Sequence, residues 1–186
     1  NDQVAQVRLQ LPNFDVLGCK FCGQVGCWLR HLVQPKTAVA FLDTDNLEAF
    51  ESASGLSFMN KIESDLVNKI VMSFLQAGLD ASDISVITPF RPQLKLLDRC
   101  PDEVSLSTVD RFQGLDSECI IISLVRSNRE RNIGQLLRDW NRLNVAFTRA
   151  KKKLVMVGSS STVLQHPSFK ALHELLSERQ WIFRLP

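Results

Sequence analysis

A parallel α/β fold is what this sequence predicts, from three observations. Short β-branched runs bounded by turn residues, Ile84-Ser-Val-Ile-Thr88, Cys119-Ile-Ile-Ile-Ser-Leu-Val125 and Leu154-Val-Met-Val-Gly158, read as strands of a buried parallel sheet. Segments with apolar residues at helical spacing lie between them. Polar clusters stand beside the runs, and in open α/β sheets the loops at strand ends are where phosphate ligands bind. The 186 residues suffice for one domain with its own core. Hydrophobic content of 45% with 23% charge suits a globular chain, and no apolar run approaches the length of a membrane span. Five cysteines, an odd number, argue against a disulfide scaffold and for a reducing compartment. Charge is unevenly placed. From Arg126 to Lys153 nine Lys/Arg face two acids, a local +7 in a chain of net +2, so the remainder carries −5.

In chain order, residues 1–35 read as an irregular connecting segment, with Val4, Val7, Leu9 and Leu11 hinting at a strand. Cys19, Cys22, Cys27 and His31 supply four ligands, enough in number for tetrahedral zinc. The preferred reading of the same cysteines is a loop of partly buried free thiols, with no metal. Pro35 closes that segment, and a second unit spans 36–186, opening with the strand Thr37–Leu42. Asp43 to Leu56 reads as loop. Asn60 and Glu63 form a capping-box pattern ahead of a helix whose apolar stripe is Ile62, Leu66, Ile70 and Phe74, stopped at Gly78. Strand 84–88 ends in Thr88-Pro89, and a short helix follows from Pro92. Glu103 to Val109 is the next strand, with Thr108 and Asp110 at its end. Gln113-Gly114 makes a tight turn in which Gly permits positive φ. Arg126 to Gly134 is a polar, basic loop long enough to move. One helix is expected through Leu136, Trp140, Leu143 and Ala146 to Arg149. Lys151–Lys153 reads as a solvated run or a nucleic-acid contact. A last amphipathic helix, 167–176, and an edge strand, 181–185, complete the unit; His173 reads as a helix-surface residue.

At Thr108-Val-Asp-x-x-Gln-Gly-x-Asp116 and Arg142-Leu-Asn-Val-Ala-x-Thr-Arg-Ala-Lys151 the chain resembles the fifth and sixth motifs of superfamily 1 helicases of the 5′-to-3′ branch. Ile87-Thr-Pro-x-x-x-Gln93 resembles the fourth. Ser127-Asn128 and the run Gly134 to Asn144 resemble, within that branch, the eukaryotic replication helicase/nucleases that trim Okazaki flaps. The resemblance covers about 36–186 and implies a RecA-like three-layer fold, a parallel sheet with helices on both faces. It implies a second motor domain working with ATP and Mg2+ on single-stranded or flapped DNA. A first RecA-like domain of the same parent, and a single-strand-binding protein, are the implied partners. Action in the nucleus, and also in mitochondria, is implied with them.

The resemblance also implies residue roles. Arg149 becomes an arginine finger on the γ-phosphoryl, a job suited to a planar fork; read alone, it is an ion-pair residue near a helix end. Gln113, Gly114 and Asp116 join it at the nucleotide. The family carries Glu at position 116, so the shorter Asp gives a weaker or water-bridged ribose contact; read alone, it is a solvated turn acid. Thr88, Pro89, Arg91, Thr108, Asp110, Arg126 and Asn128 face the nucleic-acid backbone, with a turn Thr and a surface Arg as the alternative for Thr88 and Arg91. Gln93 is implied to lie towards the domain interface.

No G-x-x-x-x-G-K-[ST] loop and no apolar strand ending in Asp-Glu occurs, so the chain by itself is expected to be inactive towards ATP. Magnesium ligands and any nuclease site are expected outside it. Asn1 follows no leader pattern, and the chain is expected to be a fragment. Two other functions stay open: an RNA helicase of the decay type, and a non-catalytic nucleic-acid-binding paralogue.

Overall fold

A computed structural model of the protein describes residues 28–185. The elements in order are α1 (Trp28–Val33), β1 (Val39–Asp43), β2 (Ser52–Ser54), β3 (Ser57–Met59), α2 (Lys61–Gln76), β4 (Ile84–Thr88), α3 (Arg91–Leu94), β5 (Ser105–Thr108), β6 (Ser117–Ser123), α4 (Gly134–Arg138), α5 (Trp140–Phe147), β7 (Ala150–Gly158), α6 (Ser160–Val163), α7 (Pro167–Glu178) and β8 (Ile182–Arg184).

Six strands form one sheet in the order β5-β4-β6-β7-β1-β8, every pairing parallel. Successive side chains of a strand point to opposite faces, so a strand covered on both must be apolar at every position. That is why the runs read as continuous. Cys119 and Ile121 enter one core with Val86, Val155 and Val157, while Ile120 and Ile122 enter the other with Ile87, Leu154 and Met156. Helices α1 and α2 cover the first face through Leu32, Val67, Ile70 and Phe74. The second is covered by α4, α5 and α7 through Leu137, Leu143, Phe169 and Leu176. The fold is the expected α/β three-layer architecture.

Helix α2 begins where its sequence says. Asn60 is extended, and its side chain accepts the Glu63 N–H at 3.0 Å. At the other end the Gly78 N–H reaches the Leu75 carbonyl and the Leu79 N–H the Phe74 carbonyl. Gly78 at φ 93 supplies the left-handed residue this Schellman closure requires.

Several local expectations need correction. The capping box is only half formed, because the Glu63 carboxyl turns into the core instead of returning to the Asn60 N–H. The stretch 43–56 is not plain loop. It holds a one-turn 3-10 helix, Asp45–Leu47, and the first strand of the β2–β3 hairpin, whose turn has Gly55 at φ 61. The helix expected up to Arg149 is two helices. Asp139 ends α4 and caps α5, its carboxylate accepting the Arg142 N–H at 3.2 Å. The lysine run is not uniformly solvated either. Lys153 is 7% exposed and gives its ammonium protons to the carbonyls of Leu32 (2.8 Å), Gln34 (3.0 Å) and Thr37. It thereby ties the end of α1 and the segment after it to β7. Burial pushes the Lys153 pKa down to about 8.

Candidate functional site

Because all six strands run the same way, the residues before the strands gather at one rim of the sheet and those after them at the other. Seven residues of β6 at about 3.3 Å each put roughly 20 Å between the rims. The sequence-predicted residues divide between them.

At the leading rim, Asp116 directly precedes β6 and Arg149 directly precedes β7. The Ser117 N–H donates to the Arg149 carbonyl at 3.2 Å, and Ser117 is in register with Ala150. Register therefore makes neighbours of two residues 33 positions apart. Arg149 is half-buried, and its Nε is buried without a hydrogen-bond partner. An orphaned donor of this kind costs stability unless something meets it. Asp116 is exposed and pairs with Lys151 at 2.7 Å, while Lys152 pairs with Glu118 at 2.8 Å. The hydrogen bond to Asp116 raises the Lys151 pKa. So exposed a pair is weak and readily exchanged. Gln113 and Gly114 are exposed in the turn leading to this rim, Gly114 at φ 86.

The trailing rim is built differently. Thr88 and Thr108 form the last rung of the β4–β5 ladder. Thr88 is fully buried, its hydroxyl accepting the Phe90 N–H at 3.2 Å, and Pro89 is buried beside it. Arg91 is exposed and Thr108 half-buried. Asp110 is exposed and holds the Arg142 guanidinium of α5. Arg126 is 5% exposed; its guanidinium lies 4.0 Å over the Phe58 ring, 3.1 Å from a Glu51 carboxylate oxygen, and donates to the Asn132 carbonyl at 2.8 Å. Asn128 bonds Glu51 at 3.2 Å and closes its own loop through the Asn132 N–H at 2.7 Å. Glu51 also accepts the Ser127 N–H at 2.6 Å. The loop expected to move is laced down by one carboxylate.

Beneath it lies a buried polar network. Gln93, implied by the resemblance to face a domain interface, is instead fully buried. It exchanges hydrogen bonds with the Asn60 backbone at 2.7 and 2.9 Å and donates to the Ser123 hydroxyl at 3.1 Å. The Ser123 hydroxyl donates to Glu63 at 2.7 Å, and the Val125 N–H donates to the same oxygen at 2.8 Å. Burial raises the Glu63 pKa to about 8, the nearby Glu51 charge adds to it, and the bonds from Ser123 and Val125 oppose it.

The basic stretch is thus partly neutralised where it stands, four of its nine cations facing carboxylates. Arg126, Arg142, Lys151 and Lys152 face carboxylates, and Lys153 faces carbonyls. Glu51, Phe58, Glu63 and Ser123 are the residues that sequence reasoning missed. Gly55 between two short polar-apolar segments was a readable hairpin signal for Phe58; nothing local marked the other three.

Cys19, Cys22 and Cys27 lie outside the described residues. His31 sits on α1 with its ring 6.3 Å from that of Phe183. Among the described residues no group of three or more His, Cys, Asp or Glu could hold a metal, and no helix is long and apolar enough to cross a membrane.

The family model described as an AAA domain matches residues 3–161. The chain belongs to the AAA domain family. Its match starts well before residue 36, where the motif resemblance begins. The chain is similar to the DNA replication ATP-dependent helicase/nuclease dna2 of Schizosaccharomyces pombe, 40% identical over 161 residues, which is 85% of this chain and 12% of that protein. It is also similar to human DNA2, described in the same words, 39% identical over 194 residues, 100% of this chain and 18% of the relative. The plant relative JHS1 of Arabidopsis thaliana is 38% identical over 162 residues, 85% of this chain and 12% of its own length. The chain therefore spans less than a fifth of the relatives it matches, and within this family it resembles the C-terminal superfamily 1 motor domain of the replication helicase/nucleases.

Proposed function

We propose that this chain is the second half of an ATP-dependent 5′-to-3′ DNA helicase motor within a replication helicase/nuclease. The observation that carries the reading is the leading rim, where the Arg149 guanidinium, unlike those of Arg126 and Arg142, pairs with no carboxylate among the described residues and stands next in register to the exposed Asp116. Those residues fit a nucleotide held by a neighbouring domain. The guanidinium fork meets two phosphoryl oxygens and neutralises their charge, while Asp116 leaves Lys151 to accept a ribose hydroxyl. Gln113 and Gly114 let the backbone approach closely on the turn that leads to that rim. Bound ATP supplies the phosphoryl group; Mg2+ would be held by acids of the first domain.

At the trailing rim Arg91, Thr108, Asp110 and the Thr88-Pro89 turn line the path of a single strand, with Arg126 and Asn128 shaping the loop beside it. Contacts of this kind go mainly to phosphates, so binding is salt-dependent and nearly blind to sequence. Flapped DNA, a first motor domain and a single-strand-binding protein are the partners of this reading, and the nucleus, with mitochondria, its place. In this reading the chain by itself does not hydrolyse ATP, since it carries no G-x-x-x-x-G-K-[ST] loop.

The test is DNA-stimulated ATPase of the full-length parent, wild type against Arg149→Ala, with ATP binding followed in parallel. Turnover is expected to fall by about 10³ or more while nucleotide still binds. An unchanged rate would make Arg149 structural.

A further inference from the structure

The motor reading does not use the buried carboxyl of Glu63. It is 0% exposed, and a buried carboxyl is held at a cost unless its hydrogen bonds are met. Its position explains its presence. Strand β6 ends at Ser123, and Val125 takes φ 69, a conformation that a β-branched residue adopts only under constraint. That kink turns the Val125 N–H out of the sheet ladder, and Glu63 receives it at 2.8 Å. The next residue is Arg126, which opens the Glu51-bound loop. The same carboxylate oxygen accepts the Ser123 hydroxyl, which in turn accepts from Gln93 on α3. Asn60 closes the circuit, donating to the Val125 carbonyl at 3.2 Å.

We propose that Glu63 is a positioning residue that yokes the two strand-facing segments of the trailing rim, Thr88 to Arg91 and Arg126 to Asn128, so that both grip the nucleic acid together. The inference rests on the motor reading above and deepens it. Two segments joined by one buried, satisfied network move as a unit, because each alternative position leaves a donor or acceptor unmet. Burial keeps the carboxyl largely protonated at neutral pH, which makes Gln its shape and charge equivalent.

The experiment measures basal and DNA-stimulated ATPase of the full-length parent carrying Glu63→Ala, Glu63→Gln or Ser123→Ala, titrating single-stranded DNA. For Glu63→Ala the half-saturating DNA concentration is expected to rise about tenfold, with basal turnover and the KM for ATP unchanged. Glu63→Gln restores the wild-type value. Where Glu63→Ala fails to fold, Ser123→Ala decides: it removes one hydroxyl from the yoke and is expected to raise half-saturation about threefold. Wild-type DNA dependence in Glu63→Ala, or in Ser123→Ala in its place, overturns the inference while leaving the motor reading intact. Equal losses in Glu63→Gln and Glu63→Ala overturn it as well. A wild-type parent without DNA stimulation overturns the motor reading and this inference together.

Discussion

The two rims of the sheet hold almost the same kinds of residue, arginines beside carboxylates, and use them in opposite ways. At the trailing rim Arg126 is buried against Glu51 and Phe58, and every polar side chain of the layer beneath it has a partner within the molecule. At the leading rim no carboxylate among the described residues pairs with Arg149, and Asp116 is held by an exposed lysine; a buried Nε without a hydrogen bond is shared by Arg149 and by Arg126 and Arg142 at the trailing rim. A satisfied network costs little to maintain and resists displacement, so it suits a surface that must keep its shape through a cycle. A guanidinium that no carboxylate neutralises can take an anionic ligand without breaking an ion pair, so it suits a surface that must respond to one. The difference lies in what each arginine faces, a carboxylate at one rim and none at the other, among residues that the motifs present as equivalent.

Removing a guanidinium from each rim breaks the comparison most sharply. Arg149→Ala is expected to abolish about 10³-fold of turnover in the parent, yet to leave the unfolding free energy of this domain within about 0.5 kcal/mol. Arg126→Ala is expected to cost about 3 kcal/mol in chemical denaturation, because Glu51 is left buried without its cation. Equal stability losses at both positions would erase the distinction.

A pH titration of stability sharpens the trailing-rim half. The folded Glu63 pKa, near 8, lies above the ordinary 4.5, so the fold binds this proton more tightly than the unfolded chain does. Its contribution is complete below about pH 4.5, falls as pH rises towards 8, and is gone above that. Subtracting the Glu63→Gln unfolding curve from wild type isolates the residue from other titrating groups. The expected result is a difference that grows between pH 5 and 8 in favour of the amide. A flat difference would mean that the carboxylate is held ionised.

The smallest expected effect concerns the leading rim. Lys151→Ala frees Asp116, and if that carboxylate receives a ribose hydroxyl, the parent's KM for ATP should fall by about two- to threefold. A rise would show that Lys151 itself holds the nucleotide.

Much of this was legible in the chain. Strand 84–88 and most of the run 119–125 were readable because both faces of a central parallel strand are dry, which leaves an unbroken apolar run; the run overshoots the strand by two residues, since β6 is Ser117–Ser123 and Val125 kinks out of it at φ 69. Helix α2 was readable from Asn60 and Gly78, since caps act within four residues. The turn at Gly114 and the motif around Arg149 were equally local. The break at Asp139 could have been read as an N-cap, and the hairpin 52–59 from its glycine.

What the sequence could not supply is partnership across distance. Glu63 looks like a cap because its immediate neighbours are those of a cap; Ser123 and Val125, which take its carboxyl, stand 60 and 62 residues away. Glu51 meets Ser127 and Asn128 across 76 and 77 residues, and Lys153 meets Leu32 across 121. Local chemistry fixes which backbone shape a segment prefers and which face it must bury. Whether a charged side chain ends in water, in a carboxylate or in the core depends on the segments that pack over it, and only the closed tertiary structure brings those together.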